Sequence, residues 1–392
     1  MRVAIDRGPL ESGHKVRGVG VYTRELIKTL KNPSTPSATL RTSSLRTSLK
    51  KRELKIDAVN FEKAELGKYD LVHYPYFHPF LPTFYSLDKI RADKLPKIVV
   101  TVHDLIQLVY PAKYRSGIKG ALRFIKQKKI IRKAVAIIVP SETTKKDVVR
   151  FLGVPERIIK VVYEAPRDIF RPIADNDDKL KEIKLKYKLP EKFVLYVGDV
   201  NYNKNIPGLL MAARIAKTPL VICGKQALEN GEGTGLDSLQ GPKDWARYIF
   251  NIPHPELSHL ANLARQFNEN SKIYRLGFVP DEDLAGIYNL ANVYCQPSFY
   301  EGFGLPVLEA FSCGTPVVIA KTQALVEIAD RAALIADPYN PKDFADKLKL
   351  LINDNNLRKT YSLRGKTVAR KFTWKKAAEE TFKVYAEAFE NN

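Results

Sequence analysis

Two glutamates, Glu301 and Glu309, are separated by seven residues around a glycine-bearing turn in the run VYCQPSFYEGFGLPVLEAFSCGTPVVI. Glycines such as Gly302 and Gly304 let a backbone approach a ligand and take angles that other residues avoid. A helix that starts just after them offers unpaired N–H groups and a partial positive charge, which suits phosphate. Carboxylates beside such a site repel phosphate, so Glu301 and Glu309 are better placed to accept hydrogen bonds from hydroxyls. A polyhydroxylated ligand that also carries phosphate meets both demands. Lys204, in VNYNKN, supplies a mobile ammonium suited to a diphosphate. Thr101-Val102-His103-Asp104 puts a polar dyad at the end of an apolar run, where open α/β sheets hold their ligands. Gly18 and Gly20 stand at the entry of a predicted helix, where on the residues alone a simple turn is a better reading than a phosphate or sugar contact.

The elements that must carry these groups follow from the pattern. Residues 293–296 are an apolar run broken by Pro297-Ser298; Pro306 fits a first helical turn, and Gly314 with Pro316 fits a helix stop. The stretch reads strand, glycine loop, short helix, strand. Strand-like runs at 2–6, 54–59, 69–73, 97–102, 135–139 and 158–162 alternate with helical patterns, and a second series begins with KFVLYVGD. That series continues with a helix over 206–216, a strand over 219–223, a polar glycine-containing connection over 224–253, a helix over 255–267, a strand over 272–276 and a helix over 281–290. A chain of 392 residues exceeds one core. The reading is therefore α/β with two doubly wound Rossmann-like domains, 1–172 and 173–372, followed by a C-terminal amphipathic helix over 373–392.

With 45% hydrophobic residues the chain is that of a globular protein. Its three cysteines, Cys223, Cys295 and Cys313, lack metal-knuckle spacing and read as small core residues in a reducing compartment. MRVAID enters a strand without a signal pattern, and no uncharged apolar stretch reaches about 18 residues. The expectation is a cytoplasmic protein, at most peripheral on the inner face of the plasma membrane.

The net charge of +21 is uneven: residues 1–172 hold 35 Lys and Arg against 16 Asp and Glu, the rest 29 against 27. The first half is thus expected to meet something anionic. Residues 113–133, KYRSGIKGALRFIKQKKIIRK, carry nine basic residues and no acidic one, with Tyr114, Ile118, Ala121, Leu122, Ile125 and Ile131 at helical spacing. The pattern predicts an apolar face packed on the domain and a basic face turned either to solvent or to an anionic membrane. Residues 31–55 read as an irregular loop, either a surface insertion or a segment ordered by acceptor or lipid. HYPYFHPF, at 73–80, offers aromatic rings for a sugar or a neighbouring domain, and His73 and His78 lack the spacing of metal ligands.

Glu301 to Glu309, with PSFYEGFGLPVLEAFSCGTPVV in register, resembles the E-x7-E pattern of the retaining, nucleotide-sugar-dependent glycosyltransferases of family 4, which have the GT-B fold. The resemblance covers nearly the whole chain and is strongest at 194–204 and 276–318. It implies two domains facing across a cleft, a last helix over 373–392 that crosses back to the first domain, and transfer of a sugar from a nucleoside-diphosphate sugar to a hydroxyl of a glycan or lipid-linked acceptor. It places Lys204, Asn203 and the amides of Gly302, Phe303, Gly304 and Leu305 on the diphosphate, Glu309 on the ribose and Glu301 on the donor sugar. Backbone near Val279 meets the base, His103 lies by the anomeric carbon, and the loop with Gly18 and Gly20 faces the donor. One departure is that Asp199 and Asn203 stand where an Arg is common, leaving a second positive contact unassigned. The resemblance calls for no Asp-x-Asp that holds the diphosphate through a metal, so no metal and no further cofactor is expected.

The resemblance to polysaccharide and lipid mannosyltransferases suggests GDP-mannose as donor. The alternatives are a nucleotide-sugar epimerase of the same fold, a catalytically silent scaffold, or a basic nucleic-acid-binding protein. The last rests on charge alone, since no recognition motif appears and no specific nucleic acid is expected.

Overall fold

A computed structural model describes residues 2–12, 18–32, 55–84, 87, 95–174, 176–228, 262–263, 266–267 and 272–390. The chain divides into two compact units, one of Met1–Val109, Arg115–Ala165 and Phe372–Asn392, the other of Tyr110–Tyr114 and Pro166–Lys371. Most of the predicted loop over 31–55, most of the connection over 224–253 and most of the helix over 255–267 lie outside the described residues.

The first unit is built on a parallel sheet of six strands: β1 (Arg2–Asp6), β2 (Lys55–Val59), β3 (Leu71–Tyr74), β4 (Lys97–Thr101), β5 (Ala136–Val139) and β6 (Ile159–Val161), in the order β2-β1-β3-β4-β5-β6. Strands such as LVHY and AIIV are buried along their whole length, as strands covered by helices on both faces must be. Helix Gly18–Leu30 lays Tyr22, Leu26 and Leu30 on one face, where they pack with Trp374, Ala378 and Tyr385 of helix Trp374–Glu390. The C-terminal helix is therefore part of this unit. The other face holds Phe61, Tyr74, Phe77 and Phe84 in one buried cluster. Tyr74 and Phe77 are thus core residues, which takes these two out of the aromatic run expected to serve a sugar or a neighbouring domain; Phe61 and Phe84 each meet the Tyr74 ring edge-on, at 4.8 and 5.1 Å.

Helix Gly117–Ile131 departs from its prediction in the same unit. Its packed side is Gly120, Gln127 and Ile131 together with half-buried Phe124, while Ile118, Leu122 and Ile125 are exposed. Gln127 explains the choice. Its amide donates to the carbonyls of His78 and Pro79 at 3.0 Å each, and its oxygen accepts from Thr83 N at 2.6 Å, which anchors the loop before it. Period alone marks an apolar stripe but not which stripe faces inward.

The second unit carries β7 (Val194–Val197), β8 (Leu220–Cys223), β9 (Ile273–Gly277), β10 (Val293–Gln296), β11 (Val317–Ala320) and β12 (Ala333–Ala336), all parallel, in the order β12-β11-β10-β7-β8-β9. After β9 the chain returns to the far side of β7, so the order reverses between β7 and β10. Ligands of open parallel sheets bind beside the carboxyl ends of the strands at such a reversal. The three cysteines are free and buried, and burial pushes their thiols up, as core residues. Among the described residues no helix is long and apolar enough to cross a membrane, and no group of three or more His, Cys, Asp or Glu could hold a metal ion.

Candidate active site

The two loops that leave the reversal point of the second sheet are tied to one another. After β7, Gly198 has φ +145°, and the chain turns through Asn201 to Lys204 into helix Ile206–Ala216. After β10, Pro297 to Gly304 lead into helix Leu305–Cys313. Asn203 is almost fully buried; its Nδ2 donates to Tyr300 O at 3.1 Å and its Oδ1 accepts from Tyr114 OH at 2.7 Å. Asn205, in the left-handed region at φ 53°, donates to the carbonyls of Pro297 (3.1 Å) and Pro338 (2.8 Å). Asn203, expected to touch the donor, therefore has its side chain committed to holding the loops. Asn205 escaped the sequence reading; its signal was an Asn between the loop and a Pro-containing first helical turn.

The clamp brings Lys204 and Glu301 together. Lys204 Nζ lies 2.8 Å from both Glu301 oxygens, and Glu301 Oε1 also accepts from Gln296 Nε2 (2.8 Å) and Ser298 Oγ (2.6 Å). Gln296, Ser298 and Glu301 are buried, so this carboxylate is charge-paired and hydrogen-bonded where a lone one would be costly. Three residues later, Gly304 has φ +116° and ψ 44° and caps helix Leu305–Cys313, with Pro306 in its first turn. A side chain at Gly304 would lie 2.6 Å from Leu325 Cδ2 and 2.9 Å from Ile328 Cδ1, so both backbone and space require glycine. The helix that starts at Leu305 leaves the amides of its first turn without partners inside the helix, four residues along the chain from Glu301.

Glu309 lies one turn further along that helix and is buried. Tyr288 OH donates to its Oε2 at 3.1 Å, and Arg167 Nη2 lies 3.7 Å from its Oε1. Burial raises the Glu309 carboxyl to about 7, against the pull of Arg167 and Tyr288, with Asp281 adding to the rise. Arg167 also forks onto Asp281, its Nη2 donating to Oδ1 at 3.0 Å. Arg167 was missed because EAPRDIF reads from sequence as the close of the first domain. The rings of Tyr288 and Tyr294, 5.7 Å apart, link the two carboxylates: Tyr288 bonds Glu309, while Tyr294 OH bonds Gln296, which bonds Glu301. Val279 is buried just beyond β9, two residues before Asp281.

His103, Gly18 and Gly20 belong to the first unit. His103 follows β4 and its ring is held edge-on by Tyr22 at 4.7 Å. Nδ1 is 2.8 Å from Glu164 Oε1 and Nε2 is 2.9 Å from Pro75 O. Both partners only accept, so both nitrogens donate and the ring is an imidazolium. Burial opposes that charge, but the bond to Glu164, its charge and the Pro75 carbonyl outweigh it and raise the pKa. His73, in contrast, lies between Tyr385 OH (2.6 Å) and Thr101 Oγ1 (2.8 Å), and burial pushes it down to about 3. Gly18 starts its helix with open space where a side chain would go, so nothing steric demands glycine there. Gly20 is buried in the same first turn.

The His103 arrangement makes a prediction with a definite sign. Because its pKa is raised on folding, the stabilisation it supplies is complete below the free-histidine value of about 6.5 and is lost as pH rises through the higher folded value. An NMR titration should place His103 above free histidine, and Glu164→Gln should lower that midpoint by about 1 unit or more. A His103 that titrates below free histidine in the parent protein contradicts the pairing.

Comparison with known proteins gives the family of the chain. Residues 177–368 match the family model "Glycosyl transferases group 1", and residues 16–165 match "Glycosyltransferase Family 4". The chain is 25% identical to O-antigen chain mannosyltransferase B of Escherichia coli, over 98% of this chain and 99% of that protein. It matches the serotype-specific mannosyltransferase WbdA of Escherichia coli at 25% identity over 74% of its length, spanning about a third (33%) of that longer protein. Among solved structures it is similar to sucrose-phosphate synthase from Thermosynechococcus elongatus, with TM-score 0.68 and 20% identity over 100% of both chains. It is also similar to Anabaena HepE in complex with UDP and glucose, with TM-score 0.67 and 14% identity over 98% of this chain and 99% of that one. With both halves matched by their family models, and two parallel six-stranded α/β units as in these neighbours, the chain is a family 4 glycosyltransferase of the GT-B fold.

Proposed function

We propose that this glycosyltransferase moves a sugar from a nucleoside-diphosphate sugar to a hydroxyl of a glycan or lipid-linked acceptor, with retention at the anomeric carbon. The observation that carries the reading is the Lys204–Glu301 pair set beside the start of helix Leu305–Cys313 at the sheet reversal, with Glu309 buried on the same helix. A cation and helix amides at one spot fit a diphosphate, whose charge grows as it leaves. The Glu309 carboxylate, already fixed by Tyr288, accepts from the ribose hydroxyls. Backbone around Val279 receives the base.

In this reading the acceptor oxygen attacks the anomeric carbon on the face from which the diphosphate departs. The bond from that carbon to the phosphate oxygen breaks, and the acceptor proton passes to the departing phosphate. Glu301 is not a nucleophile, since Lys204, Gln296 and Ser298 hold it in donor contacts; it orients the donor sugar by sharing its second oxygen with a hydroxyl. For His103 the reading keeps orientation of the sugar, through the charge of a ring whose nitrogens are both engaged. The diphosphate charge falls to Lys204 and the amides, with no metal required. The likeness to an O-antigen chain mannosyltransferase and to a serotype-specific mannosyltransferase favours GDP-mannose as the donor and polysaccharide or glycolipid synthesis as the setting.

Titration calorimetry of the nucleoside diphosphate tests the ribose assignment. Glu309→Ala is expected to weaken binding about 10- to 100-fold, the range for hydrogen bonds to a charged group. Since the Glu309 carboxyl is raised to about 7, its ionised form appears only as pH rises through neutrality. Affinity should therefore climb from acid to mildly alkaline pH, and Glu309→Gln should remove the part of that climb that belongs to the protein. Unchanged affinity in Glu309→Ala contradicts the assignment.

A further inference from the structure

The loops that follow β7, β10 and β12 carry a row of aromatic rings to which the donor gives no part. Tyr202, after β7, lies 5.6 Å from the ring of Phe299, after β10, and Phe299 stacks on Tyr339, after β12, at 5.0 Å and 23°. The row is closed at one end, where Lys113 Nζ sits 4.5 Å from the centre of the Tyr202 ring. At the other end it is open. Tyr339 gives one side of its ring to Phe299 and is 76% exposed. Tyr110 flanks the row, edge-on to Tyr202 at 5.7 Å; burial, with the phenols of Tyr339 and Tyr202 beside it, pushes its hydroxyl up to about 12, so it is uncharged at neutral pH.

The turn under Tyr339 is braced. Its N–H donates to Asp337 Oδ1 at 2.9 Å, the Asn340 N–H donates to Asp337 O at 3.0 Å, and the Asn340 side chain caps helix Pro341–Asn353. Asn205, which holds Pro297 in the β10 loop, reaches this turn as well, through Pro338 O. A large ring on a fixed turn loses little freedom when a ligand stacks on it.

Topology sets this ring apart from the donor. β9 and β12 are the two edges of the second sheet. In the proposed function the donor runs from its base at Val279, beyond β9, to its sugar at Glu301, beyond β10, whereas Tyr339 follows β12 at the opposite edge. The row nevertheless starts beside the donor contacts, since Tyr202 stands two residues before Lys204 and Phe299 two before Glu301. A ligand on Tyr339 therefore belongs to the acceptor. A pyranose ring offers a face of C–H bonds and a rim of hydroxyls, and a phenol receives both with its apolar body and polar tip. Nucleic acid would ask for cations along the row, but Lys113 sits at its closed end, and residues 173–392 balance 29 Lys and Arg against 27 Asp and Glu. We propose that Tyr339, backed by Phe299, is a platform on which a neutral sugar ring of the acceptor stacks, set back from the hydroxyl that receives the transferred sugar; this rests on the glycan acceptor proposed above.

Acceptor kinetics against chain length test it, with α-linked mannose oligomers from the monosaccharide to the hexamer as probes and donor hydrolysis recorded alongside. In the parent, KM should fall with length. Tyr339→Ala should raise KM for the hexamer by about 3- to 10-fold, the range for one aromatic stack, with kcat kept and no such rise for the monosaccharide. The position is exposed, so the variant should melt with the parent, and Tyr339→Trp should restore KM. Saturation-transfer NMR of the hexamer on the full chain, without donor, tells this platform from the donor chemistry. Contact in the parent that Tyr339→Ala weakens upholds the platform even if no donor is turned over. Absence of both contact and length dependence overturns it, whether or not a donor is turned over. So does an alanine variant that treats every length as the parent does, or self-association of the parent, seen by sedimentation, that Tyr339→Ala removes.

Discussion

Replacing Lys204 with alanine is expected to lower kcat/KM by about 10²- to 10³-fold, the cost of removing one preorganised contact to charge that develops in the transition state. Two effects add. The departing diphosphate loses its cation, and the Glu301 carboxylate, whose two oxygens both lie 2.8 Å from Nζ, keeps only Gln296 and Ser298 as donors in a buried site. An unpaired carboxylate there repels the diphosphate as well as lowering stability by about 1–3 kcal/mol. Lys204→Arg keeps the charge but replaces a compact ammonium with a planar fork, so it should recover stability better than rate. The diagnostic comparison is between ligands: affinity for the nucleoside diphosphate should fall while affinity for the nucleoside does not. Equal losses for both would mean that Lys204 only supports the loop.

Gly304→Ala should be the most damaging single methyl in the site. The backbone at φ +116° disfavours any side chain, at about 1–3 kcal/mol, and the new Cβ meets Leu325 and Ile328 at 2.6 and 2.9 Å, an overpacking that costs about 1–3 kcal/mol more. Either the loop shifts, moving the amides of the helix start, or the helix Gln323–Ala329 that carries both clashing residues gives way. A loss of about 3 kcal/mol corresponds to a melting temperature lower by about 6 °C or more, with diphosphate binding lost in parallel. Gly18→Ala is the contrast: open space surrounds that position, and a change of about 0.5 kcal/mol or less is expected. Similar melting curves for the two variants would contradict the reading of Gly304.

The strands were legible because each is a short apolar run punctuated by Gly, Pro or a polar dyad, and the strands seen differ from those read by a residue or two. The glycine turn and Glu309 were legible for the same local reason, since Pro306 and Gly314 bracket a helix in any context. What was not legible is long-range. Nothing near Lys204 says that it meets Glu301, which lies 97 residues away. Nor does EAPRDIF announce that Arg167 reaches Asp281 and Glu309. Asn203 has a side chain equally able to bind a phosphate or brace a loop, and only the position of Tyr114 and Tyr300 decides it. Helix Gly117–Ile131 shows the same limit, because its inward side is set by Gln127 reaching the 78–83 loop and not by its most apolar residues.

The most direct measurement of the central claim is turnover of a panel of nucleoside-diphosphate sugars, GDP-mannose among them, with and without chelator. NMR should assign the anomeric configuration of the sugar after transfer, or after slow hydrolysis where no acceptor is supplied. One donor should be consumed, insensitive to chelator, its anomeric configuration should be kept in the product, and Lys204→Ala should slow the reaction by about 10²- to 10³-fold. Inversion at the anomeric carbon, or full activity in Lys204→Ala, would contradict it.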